Sequence, residues 1–193
     1  MRRLALLFLL LALVAAGCGQ DENTSGTMGE IEGTAVADTE GIYLDVNNLK
    51  YQIEMSRYLN PADVEDREYL IGLPEGTEEL AADEIYFGVW VRVENTSEDE
   101  TRPAATVWEI HDTQENVYRP LPVDGEINPF VFEPVDVPPK TVIPLASSAA
   151  GQGPTQGLLL LFKLKIDSLQ NRPLELKFSN GGDSTQGTYD LDV

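Results

Sequence analysis

The chain has 193 residues, with 33 acidic against 13 basic side chains and a net charge of −20, a field that opposes nucleic acid and anionic lipid headgroups as partners. One histidine and one cysteine supply no ligand cluster for zinc, copper or haem, and the reading carries no metal and no cofactor. The length leaves room for one domain of ordinary size.

Arg2 and Arg3 precede an unbroken apolar run over 4–16, followed by Gly17 and Cys18. A basic start, a short apolar stretch and small residues before a cut make a secretory signal. A cysteine directly after Ala15-Ala16-Gly17 is what bacterial prolipoprotein processing requires, although Ala15 stands where Leu is more usual. Residues 1–17 therefore read as a lipoprotein signal peptide and Cys18 as the site of lipid attachment. Two alternatives stand beside this. An uncleaved anchor would need ~20 apolar residues and finds thirteen. A plain secreted protein would leave Cys18 as a stray thiol in an oxidising compartment.

Each buried methylene contributes about 0.8 kcal/mol, so two or three acyl chains such as palmitate on Cys18 hold a protein durably where one chain is marginal. The expected place is the extracellular face of the cell membrane, anchored and not spanning. The strongest later apolar run, 158–162, is five residues long and is followed by Lys163 and Lys165. Loss of Arg2 and Arg3 with the signal moves the net charge from −20 to −22, which is first of all a solubility device.

Residues 18–34 are Gly, Asp, Glu, Asn, Thr and Ser with few apolar side chains, and are expected to be a flexible tether. The domain is set at 35–193. From there the period is two. Ile42, Leu44 and Val46, then Leu49, Tyr51, Ile53 and Met55, alternate with polar neighbours about Asn47-Asn48, giving a strand pair. Asn60-Pro61 followed by Asp63, Glu65 and Asp66 predicts one short helix ending by Gly72.

The clearest strand covers 85–95. Phe87, Val89, Val91 and Val93 share a face predicted to point inward, opposite Leu160, Phe162 and Leu164 on a second sheet. The other face carries Tyr86, Trp90 and Arg92, residue types enriched at binding hot spots, although cross-strand packing under a loop or the short helix is the commoner explanation for such residues. A hairpin is expected over 104–119, and further strands at 157–166, 172–178 and 188–193. The connection 121–156 holds most of the prolines and no sustained period. Such stretches are functional or poorly ordered, and Phe130 and Phe132 within it are the second candidate for partner contact. The fold class is all-β, an immunoglobulin-like antiparallel β-sandwich with one short helix.

The strand Phe87-Gly88-Val89-Trp90-Val91-Arg92-Val93-Glu94-Asn95 resembles the aromatic-x-Val-x-Val-x-Val-x-Asn strand of uncharacterised immunoglobulin-like domains on extracellular lipoproteins of Gram-positive bacteria. Ile110-His111-Asp112 with Tyr118 after the turn is similar to that family's D-x-x-G-x-x-Y hairpin. Val137-Pro138-Pro139 is similar to its proline corner before a Gly-led strand, here starting at Gly157. Lys140 departs from the family's usual Gly, and the distance from Pro139 to Gly157 is longer than its short turn. The resemblance implies a fold, an extracellular location and a binding or scaffolding role; it implies no catalytic residues.

Other motifs are weaker. His111 beside Asp112, with Ser147 or Ser148, lacks the Gly-x-Ser-x-Gly elbow of a hydrolase. The Gly-rich run 151–157 precedes a strand and not a helix, so it offers an anion no helix N-terminus. Asn95-Thr96-Ser97 matches a glycosylation acceptor. Glu94, Glu98, Asp99 and Glu100 flank a turn whose oxygens are of the type that calcium takes, but they lack EF-hand spacing, and a solvated acidic turn that deters edge pairing is the favoured reading. The expectation is a lipid-anchored binding or scaffolding module that is not an enzyme, with the membrane and another envelope protein as partners. An enzyme of unrecognised type and a purely structural envelope protein are the alternatives.

Overall fold

The computed structural model describes residues 28–31, 33–77, 79–181 and 186–192. The signal sequence and Cys18 lie outside them. The strands are β1 (Met28–Ile31), β2 (Thr34–Ala37), β3 (Tyr43–Val46), β4 (Leu49–Leu59), β5 (Glu84–Asn95), β6 (Arg102–Pro103), β7 (Val107–His111), β8 (Val117–Tyr118), β9 (Asp136–Val137), β10 (Thr141–Ile143), β11 (Leu158–Lys165), β12 (Leu174–Ser179) and β13 (Gln186–Leu191).

Two sheets form the sandwich. One runs β1-β2-β13-β12-β7-β8; the other runs β3-β4-β5, with β10 and β11 sharing the far edge of β5. A two-stranded piece, β6 with β9, pairs separately from both sheets, with Val137 in the core. The chain changes sheet between β2 and β3, between β5 and β7, back between β8 and β10, and again between β11 and β12. With the pairs β5·β11, β7·β12 and β12·β13, these crossings make the immunoglobulin-like pattern. One ladder among the named strands, β2 with β13, is parallel, so the sandwich is not antiparallel throughout.

Asn47 and Asn48 both have positive φ, 52° and 61°, the two-residue turn that matches the twist of β3 and β4. Residues 18–27 of the tether expected over 18–34 lie outside the described residues; within its second half β1 pairs β2 from Met28 to Ala37, turning at Gly33 (φ 81°). The helix expected after Asn60 is a 3-10 helix at Asp66–Leu70. Asn60 Oδ1 accepts from Ala62 N at 3.0 Å and Asp63 Oδ1 from Glu65 N at 2.8 Å. These local bonds compete with an α-helical start. An α-helical turn falls instead at Ala149–Gln152, where Ser148 Oγ accepts from Gly151 N at 3.1 Å.

Phe87, Val89, Val91 and Val93 are fully buried in the core between the sheets, as their alternation predicts. Their expected opposition to Leu160, Phe162 and Leu164 needs correction. Leu160 pairs with Val89 and Phe162 with Phe87 in the same sheet. The chain from 96 to 157 crosses to the other sheet for β7 and β8 and then returns to the edge of β5, so β11 lies beside β5 while β7, β12 and β13 supply the facing layer: Trp108, Ile110, Leu176, Phe178 and Tyr189. The Tyr189 hydroxyl, 2.6 Å from the carbonyl oxygen of Ile42 and 2.7 Å from that of Tyr51, ties that layer to the β3-β4-β5 sheet.

Tyr86 and Trp90 are not a free surface. They are 1% and 0% exposed, in a second apolar cluster on the outer face of β5 with Leu59, Tyr69, Leu159 and Leu161. The 3-10 helix lays Tyr69 edge-on against Trp90, ring centres 5.1 Å apart, and Phe130 packs on Tyr69 at the same distance. The segment 121–130 closes this cluster with Leu121, Val123 and Phe130. The long connection is thus a cover, not a free loop.

Candidate functional site: a groove beside β7

The site begins where β8 leaves its ladder. β8 pairs only Tyr118 with Ile110 and Val117 with His111. The next residues are Arg119 and Pro120, and proline has no N–H to continue the ladder. Leu121 then donates its N–H to Leu161 O on β11 at 2.7 Å, carrying the strap across to the other sheet. Further on, Phe132 N donates to Leu159 O at 2.8 Å and Leu159 N to Phe130 O at 2.7 Å. The proline-rich segment covers the edge of β11 and leaves the first half of β7 uncovered.

Between β7 and these straps lies a groove of about 530 Å³. Its walls are Thr106, Val107 and Trp108 on one side, Arg119 to Pro122 on the other, with Phe132, Pro134 and Leu160. Trp108 is fixed within it: Nε1 donates to Ala105 O at 3.1 Å, Phe178 stacks on the ring at 4.8 Å, and Phe132 meets it edge-on at 5.3 Å. Beneath, the Tyr51 hydroxyl accepts from Ala105 N at 2.8 Å, and burial pushes its pKa up to about 12. Val107, 41% exposed, presents a bare apolar side chain to solvent.

At the rim Glu109 receives Arg119 at 2.5 Å and His111 Nε2 at 3.0 Å. The His111 contact first, and Arg119 after it, hold the Glu109 carboxyl below its usual range against the effect of burial. A wall of proline rings, one indole and one valine, with a neutralised ion pair at its edge, can hold apolar groups by exclusion of water.

Of the five residues expected to meet a partner, the groove contains one, Phe132, itself 7% exposed. Phe130 is half-buried on Tyr69, and Tyr86 and Trp90 are interior. Arg92 lies 3.5 Å from Glu54 on a separate cavity of about 90 Å³ with Val142, Pro144 and Gln156. Sequence reasoning missed Trp108, Arg119 and Pro120. The available signal was a strand with Trp108 on its inward face followed, after one turn, by Pro120 and Pro122.

Several residues of the weaker motifs have local partners. Ser148 Oγ donates to Leu145 O at 2.7 Å, while the Asp112 carboxylate accepts from Gln114 N, Asn116 N and Asn171 Nδ2 at 2.9, 3.0 and 3.1 Å. Each of Ser148, Asp112 and His111 thus has partners other than the two that a triad would give it. Asn95 is buried, and its Nδ2 donates to Glu100 O and Val137 O, both at 2.8 Å. In the acidic turn Glu98 pairs with Lys140 at 2.6 Å and Glu100 with Arg102.

No protein-family model matches the chain, and no curated protein does. Solved structures similar to it include the yjhA protein of Bacillus subtilis, at 9% identity over 80% of this chain and 99% of that one, with a TM-score of 0.45. A candidate lipoprotein of the same organism, ycdA, is similar at 12% identity over 78% of this chain and 38% of its own length, TM-score 0.45. An uncharacterised β-sandwich protein of Clostridium difficile 630 is similar at 13% identity over 85% of this chain and 99% of that one, TM-score 0.44.

Proposed function

We propose that the chain is a lipid-anchored module of the bacterial envelope, held at the extracellular face of the membrane through Cys18, that binds a partner protein in the groove beside β7. The resemblance to immunoglobulin-like domains of Gram-positive lipoproteins supports the setting, and the signal pattern ending at Cys18 supports the anchor. The observation that carries the binding role is the position of the groove. β1, nearest the anchor in sequence, is one edge of the six-stranded sheet, and β7 lies four strands across it, roughly 19 Å at ~4.8 Å per step. Nine residues separate Cys18 from Met28, ten residue steps with a contour of at most ~36 Å. An attached domain therefore stays near the bilayer, and the uncovered apolar edge is the one farther from the attachment.

The test has two arms on intact cells. Cys18→Ser is expected to release the protein into the medium and abolish labelling by a fatty acid analogue; retention with full labelling defeats the anchor. A photo-crosslinking residue at position 107 is expected to yield a discrete adduct with another envelope protein, while one at exposed position 30 on β1 does not. Equal patterns, or none at 107, defeat the groove.

A further inference from the structure

Resting on the groove reading, we infer that the partner enters as an extended peptide added as a strand beside β7, with apolar side chains at alternate positions and basic residues between them. Three observations carry this.

The first is register. Asp112 N donates to Asn116 O at 3.2 Å, so Asp112, and by alternation Ile110 and Trp108, turn their peptide groups toward the β8 side. Extending the pairing of Ile110 with Tyr118 sets Trp108 opposite Pro120. Pro120 has no N–H for the Trp108 carbonyl, and Leu121 gives its N–H to Leu161. The chain's own strap does not continue the ladder, and the groove lies where the next strand would run.

The second is the wall. Strand addition takes affinity from main-chain bonds and selects every second side chain through pockets. Val107, Pro120, Pro122 and Phe132 form an apolar wall for such side chains. The third is charge. Two copies of a chain at −20 or beyond repel each other, so the site favours a segment carrying Lys or Arg. Arg119 does not oppose this, because Glu109 already neutralises it.

The experiment pans a random ten-residue peptide display library on the purified chain, then synthesises the tightest binder with and without N-methyl groups on alternate amides. Enriched sequences are expected to alternate apolar residues with Lys or Arg. N-methylation on the strand-pairing side is expected to weaken binding at least tenfold. Val107→Arg, an exposed change that leaves the core intact, is expected to do the same. Groove binders that Val107→Arg abolishes but N-methylation leaves unchanged overturn strand addition while keeping the groove as the binding site. Enriched peptides indifferent to Val107→Arg, or no enrichment at all, overturn the inference, and the crosslink from position 107 then decides whether the groove binds anything.

Discussion

Arg57 and Asp66 form an ion pair of 2.7 Å that also holds the guanidinium over the Trp90 ring, 5.3 Å from its centre. Asp66 accepts Asn60 N as well, at 2.8 Å, so one carboxylate fixes both the chain entering the 3-10 helix and the cation lying on the second cluster. Burial opposes its ionisation, but Arg57 and the Asn60 N–H outweigh burial and hold the carboxyl below its usual range. A depressed carboxylate contributes stability above its unfolded value of about 3.9 and loses it as pH falls through the folded one. Asp66→Asn should lower the urea midpoint at pH 7, at a cost of about 1–3 kcal/mol. The gap to the parent should shrink below about pH 4. A gap of constant size down to pH 3 would show that the charge is not what matters.

Trp90→Ala tests whether the outer cluster is part of the cooperative fold. Trp90 is fully buried among Tyr69, Leu159 and Leu161, and truncating such a ring costs about 3–5 kcal/mol. The expected result is one lowered thermal transition shared by far-UV and near-UV signals. Two separated transitions would show that the 3-10 helix and straps fold as a lid independent of the sandwich.

Alternation in β5 reports which residues share a face, and it placed Phe87 to Val93 correctly. It does not report whether the other face is covered. The cover over Tyr86 and Trp90 comes from Tyr69, Leu121 and Phe130, on segments with no period, and only tertiary contact brings them there. A clue did exist: β11 is apolar on both faces, Leu159 and Leu161 outward, Leu160 and Phe162 inward, the mark of a strand buried on two sides. The groove was less legible still. It depends on where the strap leaves β7, and Pro120 fixes that place only once the partners of β8 and of Leu121 are known.

Glu40 behaves in the opposite sense to Asp66. Its carboxylate accepts Ser56 N at 3.0 Å and Asp192 N at 3.1 Å and also contacts Ser56 Oγ, joining β4 to the end of the chain. Burial nevertheless outweighs these bonds and raises its pKa. A raised folded pKa contributes stability that is full below the unfolded value, near 4.3, and lost as pH rises through the folded one. As pH falls from 7 toward 5, the parent should therefore gain stability relative to Glu40→Gln. The check is the difference in urea midpoints at the two pH values; a difference that moves the other way refutes the assignment.

Tyr51→Phe should loosen the groove from beneath. It leaves the buried N–H of Ala105 without its 2.8 Å acceptor, a cost of about 1–3 kcal/mol, while the ring still packs on Trp108 and Phe178. Ala105 O holds the Trp108 indole, so the tryptophan in the groove wall should become more accessible. Acrylamide quenching should rise in Tyr51→Phe, and adding Trp90→Phe leaves Trp108 as the sole reporter. Unchanged quenching together with a lower melting point would mean that Trp108 is held by Phe178 and Phe132 alone.

Two exposed residues with left-handed backbone make the last comparison. Glu115 in the β7–β8 turn has φ 63° and Lys140 before β10 has φ 51°, a region costing a non-glycine residue about 1–2 kcal/mol. Glycine removes that strain and returns roughly half of the gain through the freedom of the unfolded chain. Glu115→Gly keeps the bond from the residue-115 N–H to Asp112 O, 3.1 Å, and should stabilise by about 0.5–1 kcal/mol, or ~1–4 °C in Tm. Lys140→Gly removes the same strain together with the ion pair to Glu98, whose side chains are 59% and 80% exposed. Such pairs contribute about 0–1 kcal/mol, so Lys140→Gly should gain less than Glu115→Gly and approach it at high salt, where the pair is screened. Thermal melts of both variants at low and high ionic strength check the ranking, and a larger gain for Lys140→Gly at low salt would show that the pair with Glu98 opposes the folded state.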